Sequence, residues 1–338
     1  MNRDLLFFSK TYNFLNDYIP KQQNGTECTL STYKQGLKSF RTYVTVDKDI
    51  SINQFQFSQC TYDFILEYRN TLHDEKHLSE STVNNKLSVI RSYMNYVAAR
   101  DITLQPFAFA VSQVPLYTVP RIQQPIIESK DSLKALLAEP ANTKRGLRDK
   151  VIMSVLYDGG LRLNELLSIK IGDISLIDNL YKILLHGKGK KERYCILDEK
   201  ASALMRQYLL IYHPQMVSTD PFIYTVIGGN KKTMSRRNVE KLLKNYADDV
   251  RQKYDLPDKV SPHTLRRTRG TYLYRAGVPI EEIAIQFGHE DPKTTRTHYA
   301  SPSVEQIRQI TQKANEAIPE EEQLWPDDEE ELKKILGF

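Results

Sequence analysis

The amino-acid sequence predicts a mainly α protein in two parts, an all-helical N-terminal domain and an α-rich second domain with a small antiparallel β-sheet. Three observations lead there. Apolar residues recur at three- and four-residue spacing through residues 1–105. A proline-punctuated break follows. Beyond it, helical periods alternate with one glycine-centred hairpin pattern. With 338 residues, 40% hydrophobic and 26% charged, the chain is long enough for two cores and too apolar for general disorder.

Within residues 1–105 the helical patterns run Leu5 to Tyr18, Leu30 to Val44, Phe57 to Leu72 and Val83 to Ala99. Ser79 or Ser81 can cap the fourth, whose stripe of Val83, Leu87, Ile90, Tyr93, Met94 and Val97 predicts a buried face. The opposite face carries Asn84, Asn85, Lys86, Ser88 and Arg91, which suits either plain solvent or phosphates. From Asp101 to Ser129 the period stops and Pro106, Pro115, Pro120 and Pro125 appear, so residues 106–128 are expected to be an extended linker. A second domain is assigned to 129–315. Helices are expected there over Lys130 to Ala138, Arg148 to Tyr157, Leu161 to Leu167, Ala201 to Tyr212 and Arg237 to Val250. Leu180 to Leu185 and Tyr194 to Leu197 read as strands around the glycine-containing turn 186–193.

Charge is distributed unevenly. From Glu316 onward nine acidic residues oppose Lys333 and Lys334, a net of −7, which leaves +12 on residues 1–315 of a chain with formal charge +5. A basic body with an acidic tail favours a polyanionic partner such as nucleic acid. Residues 316–338 suit either a protomer-to-protomer arm, through Leu324, Trp325, Leu332, Ile335, Leu336 and Phe338, or a solubilising tail. Cys28, Cys60 and Cys195 are too few and too scattered for a disulfide framework or a zinc site. No apolar run reaches the ~18 residues of a membrane span, and the start lacks a signal-peptide pattern. A cytoplasmic protein without metal or organic cofactor is expected.

The chemistry concentrates between Ser261 and Ala300. Pro262 suits a first helical turn, so His263 and Arg266 fall at i and i+3 on one face, able to address one phosphate. Pro279 opens another helix with Glu281 and Glu282 in its first turn, and Gly288 is placed to end it just before His289. Tyr299 directly follows the polar segment DPKTTRTH, which has little apolar pattern to bury it. A phenol of ordinary pKa ~10 needs a base or nearby cations to attack at neutral pH. Arg162, in GGLRLNELL, and Lys188, in the glycine hairpin, can supply cations. Each residue also has an ordinary structural explanation: a capping histidine, a core tyrosine, a surface arginine. HxxR pairs recur by chance.

Taken together, GLRLNEL, GKGKKER, HTLR and FGHEDPKTTRTHY, in that order, resemble the tyrosine recombinase or phage integrase family. The resemblance covers roughly Leu161 to Tyr299, and more loosely extends to the four N-terminal helices as a core-binding domain. It implies a catalytic set of Arg162, Lys188, His263, Arg266, His289 and Tyr299, with Tyr299 as nucleophile, forming a 3′-phosphotyrosyl link. Tyr272 and Tyr274 stand next in line as nucleophile. Arg267 replaces a frequent family histidine, the interval from His289 to Tyr299 is one residue longer than in some members, and Glu165 matches a structural acid.

Lys86, Arg91, Lys190, Lys191, Arg193, Arg236, Arg237, Arg267 and Arg269 are the expected further DNA contacts. Expected partners are double-stranded recombination sites, further copies of the chain in a tetramer on DNA, and accessory bending or directionality factors. The activity implied is site-specific recombination or integration for a mobile element. Alternatives are dimer resolution by the same chemistry, or a non-catalytic architectural DNA-binding protein on the same fold.

Overall fold

The computed structural model describes residues 3–23, 27–120, 124–187, 192–288, 295, 308 and 329–337. The chain divides into two compact units, Met1–Ile122 and Gln123–Phe338.

The first unit is helical. Short helical turns from Arg3 lead into α1 (Thr11–Asn13), which widens into a π-helical stretch, Phe14–Gln22. Next come α2 (Glu27–Thr42), α3 (Tyr62–Asn70), α4 (Glu80–Ala98) and α5 (Gln105–Gln113). Ser79 caps α4 by accepting from the Thr82 amide, and all six stripe residues of α4 are buried. The centre is aromatic: Phe7 packs against Phe40, Phe55, Phe57 and Tyr93 with ring centroids 5.1–5.6 Å apart. Gly36 lets α2 approach α4 closely, because a Cβ there would lie 2.8 Å from the Val89 side chain.

The expected extended linker is corrected at its start. Residues 105–113 are helical because Pro106 occupies the first turn of α5, where a missing amide costs nothing, and Ala108 and Val111 are buried. After α5 the chain is held to α4 by side chains. Asn84 brackets Tyr117, donating to its carbonyl and accepting from its amide, both at 2.9 Å, and Arg91 donates to the Val114 carbonyl.

The second unit places α6 (Lys130–Ala138), α7 (Lys144–Asp158), α9 (Glu199–Tyr212), α10 (Arg236–Arg251) and α11 (Pro262–Arg275) around a core that includes Ile152, Leu156, Leu166, Ile183, Met205 and Leu243. The short α8 (Leu163–Ser168) follows α7, and α12 (Ile280–Phe287) follows α11. Strands β1 (Ile174–Ile177), β2 (Leu180–His186) and β3 (Glu192–Ile196) form an antiparallel sheet in that order. Ile183 and Leu185 of β2, with Cys195 of β3, face the core. A separate hairpin joins β4 (Tyr224–Ile227) and β5 (Asn230–Thr233).

The sequence reading missed β1 and that hairpin. Their two-residue turns, Asp178-Asn179 and Gly228-Gly229, have positive φ at both positions, the geometry that suits tight hairpins and these residue types. A last helix, α13, spans Glu329–Leu336. Among the described residues no helix is long and apolar enough to cross a membrane.

Candidate active site

Arg162 ends the Gly159-Gly160 turn after α7 and caps α8. Its amide donates to Glu165 Oε2 at 2.7 Å and its Nη1 to Glu165 Oε1 at 2.9 Å. This R-x-x-E arrangement supplies half of a capping box, the N3 carboxylate reaching back to the N-cap amide, while the guanidinium, which cannot accept, pairs with the same carboxylate. Gly160 takes φ +57°, and a side chain there would meet the Phe287 ring at 2.5 Å, so the turn is confined to glycine.

Arg266 projects from the second turn of α11 and is only 1% exposed. Ser261 caps that helix and Pro262 fills its first turn, as the sequence predicts. Arg266 donates to the Gly160 carbonyl and, at 2.7 Å, to the Phe287 carbonyl, with its guanidinium 4.7 Å from the Phe287 ring centre. It also lies 3.8 Å from Glu165 Oε2. His263, one turn earlier, is exposed at the start of α11.

The C-terminus of α12 collects arginines. Gly288 ends the helix in the left-handed conformation (φ +62°), as glycine at that position allows. Three successive carbonyls there each accept from a different arginine: Gln286 from Arg193 at 2.7 Å, Phe287 from Arg266, and Gly288 from Arg162 at 3.3 Å. The last carbonyls of a helix lack intrahelical partners and carry partial negative charge, so cations are stabilised there. Arg193 completes the cluster with Nη2 2.8 Å from Glu165 Oε2. One buried carboxylate, 6% exposed as a residue, therefore faces Arg162, Arg193 and Arg266. Among the described residues, three positive groups against one negative leave a surplus suited to an anion such as a phosphate.

The structure thus brings together Arg162 and Arg266 of the expected catalytic set, with His263 at the head of the same helix as Arg266. Lys188, His289 and Tyr299 lie outside the described residues, as do Lys190 and Lys191. Tyr272, one of the two alternative nucleophiles, is engaged elsewhere. Its hydroxyl lies 3.1 Å from the carbonyls of both Ile127 and Glu128 and shares its one proton between them, and burial pushes its pKa up to about 12.

Several expected DNA contacts point inward instead. Arg193 belongs to the Glu165 cluster. Arg269 pairs with Asp158 at 3.0 Å, tying α11 to the end of α7, while the other Asp158 oxygen accepts from the Asp198 amide at 2.7 Å. Burial raises the Asp158 pKa against those partners. Arg267 is 8% exposed. In the first unit Arg91 is half-buried against the Val114 carbonyl, and desolvation lowers the pKa of half-buried Lys86. A helical stripe at i+3 and i+4 cannot distinguish these inward cations from surface ones, because long stems reach past their own face. Arg236 and Arg237 are exposed at the start of α10, and Arg236 donates to Asn164 Oδ1 at 2.9 Å, two residues from Arg162.

The second unit thus carries a cluster of arginines gathered on Glu165 and on the end of α12. Residues 129–306 match the model of the phage integrase family, and residues 7–110 match the phage integrase SAM-like domain. The chain belongs to the phage integrase family and is a tyrosine-type DNA strand-exchange enzyme, a site-specific recombinase. It is 28% identical over 287 residues to the tyrosine recombinase XerC of Staphylococcus saprophyticus, covering 84% of this chain and 90% of that one. Its fold resembles the XerH site-specific recombinase bound to its difH substrate (TM-score 0.64, 19% identity, 90% of this chain and 84% of that one). It also resembles the Tn1549 transposon integrase in complex with transposon right-end DNA (TM-score 0.63, 17% identity, 89% and 98%).

Proposed function

We propose that the chain cuts and rejoins specific double-stranded DNA sites through a 3′-phosphotyrosyl intermediate on Tyr299, in the service of a mobile element. In this reading the Tyr299 oxygen attacks a phosphodiester, the phosphorus–tyrosyl bond forms as the bond to the 5′ oxygen breaks, and that oxygen leaves with a proton from Lys188. Arg162 and Arg266 neutralise charge on the non-bridging oxygens, the contribution expected to dominate phosphoryl transfer. His263 exchanges a proton with the tyrosine, and His289 hydrogen-bonds the phosphate. The 5′-hydroxyl of a second strand then attacks the phosphotyrosine, so the bond energy is carried over without an external source.

The observation that supports the reading most is the surplus of positive charge around Glu165, where Arg162 and the buried Arg266 share one carboxylate and the end of α12. The exposed Arg236 and Arg237, linked to α8 through Asn164, extend that charge outward. The active assembly is a cytoplasmic tetramer on DNA, joined by accessory bending or directionality factors, in which the acidic tail docks on a neighbouring copy. Deleting residues 319–338 is then expected to weaken synaptic assembly.

Dimer resolution by the same chemistry is the second reading, and the likeness to the tyrosine recombinase XerC is compatible with either. A suicide substrate carrying the element's own ends tests the central step. Wild type is expected to form a covalent complex that survives denaturant and EDTA, and Tyr299→Phe to form none. A complex that persists in Tyr299→Phe moves the nucleophile elsewhere. Absence of any complex in wild type favours an architectural protein.

A further inference from the structure

We propose that Arg193 is a positioning residue that fastens β3, the strand that follows Lys188 in the chain, to Glu165 beside Arg162 and to the end of α12. The inference rests on the reading of Lys188 as the proton donor. Arg193 sits in β3 opposite Leu185 of β2, five residues after Lys188 in the chain. Its guanidinium leaves the sheet in two directions. Nη2 donates to Glu165 Oε2 at 2.8 Å, across 28 residues of sequence, and Nη1 donates to the Gln286 carbonyl at 2.7 Å, across 93.

Both acceptors belong to the catalytic arrangement. Glu165 takes the amide and Nη1 of Arg162 through the same carboxylate. Gln286 stands two residues before Gly288, and the stem of Arg193 occupies the space a side chain at Gly288 would need: a Cβ there would come within 2.8 Å of both Cδ and Nε. With 15% of its side chain exposed, Arg193 is engaged inside the protein rather than offered to DNA.

One planar fork therefore joins the return strand of the hairpin, the residue that orients Arg162 and the helix end that leads to His289. The opposite face of the sheet gives the hairpin little further support, since Tyr194 and Ile196 are each 57% exposed. A lysine here would keep the charge but could not bridge two acceptors in fixed directions. Transfer of a proton to the leaving oxygen depends on placement, and a shift of about 1 Å can cost ~10²-fold in rate.

The test uses the full chain and two DNA substrates, one with an ordinary scissile phosphate and one with sulfur in place of the bridging 5′ oxygen. A thiolate departs without needing a proton, so the sulfur substrate bypasses a missing or misplaced acid. Arg193→Lys is expected to bind DNA like wild type and to cleave the ordinary substrate about 10²-fold more slowly. Most of that defect should disappear on the sulfur substrate, as it should for Lys188→Ala. A defect in Arg193→Lys that persists on sulfur while Lys188→Ala is rescued overturns the proposal.

Hydrogen exchange provides a second measurement that does not depend on the role of Lys188. Amides of residues 184–196 are expected to exchange faster in Arg193→Lys, with α4 unchanged, and unaltered exchange there also overturns the proposal. If Lys188→Ala itself is not rescued, the proton-donor reading of Lys188 fails, and the anchoring role of Arg193 is decided by the exchange result. Arg193→Gln, which loses the charge but keeps an amide donor, repeats both measurements if Arg193→Lys folds poorly.

Discussion

Replacing Glu165 by glutamine removes the negative charge that Arg162, Arg193 and Arg266 face, while nearly preserving shape. The magnitude follows from how each contact is made. The Arg193 contact is a charge-assisted hydrogen bond at 2.8 Å between groups 15% and 7% exposed, of a kind that contributes about 1.5–3 kcal/mol. The Arg162 contact at 2.9 Å is discounted to at most about 1 kcal/mol, because its side chain is 46% exposed. Arg266, at 3.8 Å, is too far for a hydrogen bond. It is 1% exposed, however, and loses the negative charge of Glu165, in a class of change that costs about 3–5 kcal/mol when a buried pair is fully broken. Arg266 keeps its two carbonyl acceptors, so only part of that cost applies, and the net loss is about 3 kcal/mol.

For a unit of roughly 200 residues this lowers Tm by about 6–12 °C. Thermal unfolding followed by circular dichroism, with and without added sulfate, measures it. Sulfate should recover more stability in Glu165→Gln than in wild type, because the variant leaves a larger uncompensated charge for an anion to meet. A Tm within about 2 °C of wild type, with equal sulfate response, would refute the picture of a shared, desolvated carboxylate.

Three further outcomes are expected. Arg162→Ala should retain DNA binding in a gel-shift assay yet lose cleavage, and loss of binding first would make it a positioning group. Gly288→Ala should lower stability by about 1–3 kcal/mol, from the strained φ of +62° and the clash with Arg193, and should slow cleavage further than stability alone explains. Chemical denaturation and a cleavage time course measure the two effects.

His213 should give the fold a pH dependence. Burial lowers its pKa, Nε2 lies 2.9 Å from the Phe222 carbonyl, and the buried Nδ1 makes no hydrogen bond among the described residues. The unfolded chain therefore takes up the proton first. The stability from neutral His213 is full above the ordinary value of 6.5 and declines as pH falls below it toward the lowered folded value. Denaturant midpoints at pH 7.5 and 5.5 should differ more in wild type than in His213→Phe, and equal differences would contradict the assignment.

Much of this protein was legible in one dimension. The stripe from Val83 to Val97 determines the buried face of α4, because a 3.6-residue period leaves one apolar side. Pro262 and Gly288 mark helix ends, because one residue lacks an amide and the other accepts positive φ. The order of Arg162, His263 and Arg266 among their motifs pointed to one anion site, and the fold brings Arg162 and Arg266 to the same carboxylate. Local rules also carried two errors. Proline was read as ending helical structure at residue 106, where it starts a helix, and the turns that make β1 and β4–β5 into hairpins went unweighed.

What only the tertiary structure decided is the direction of the cations. Arg193, Arg267 and Arg269 look in sequence like Arg236 and Arg237, yet the first three turn inward and the last two face solvent. Composition and spacing fix that a guanidinium is present. Its acceptors, a carboxylate 28 residues away and a carbonyl 93 residues away, become neighbours only when the sheet, α8 and α12 are packed together.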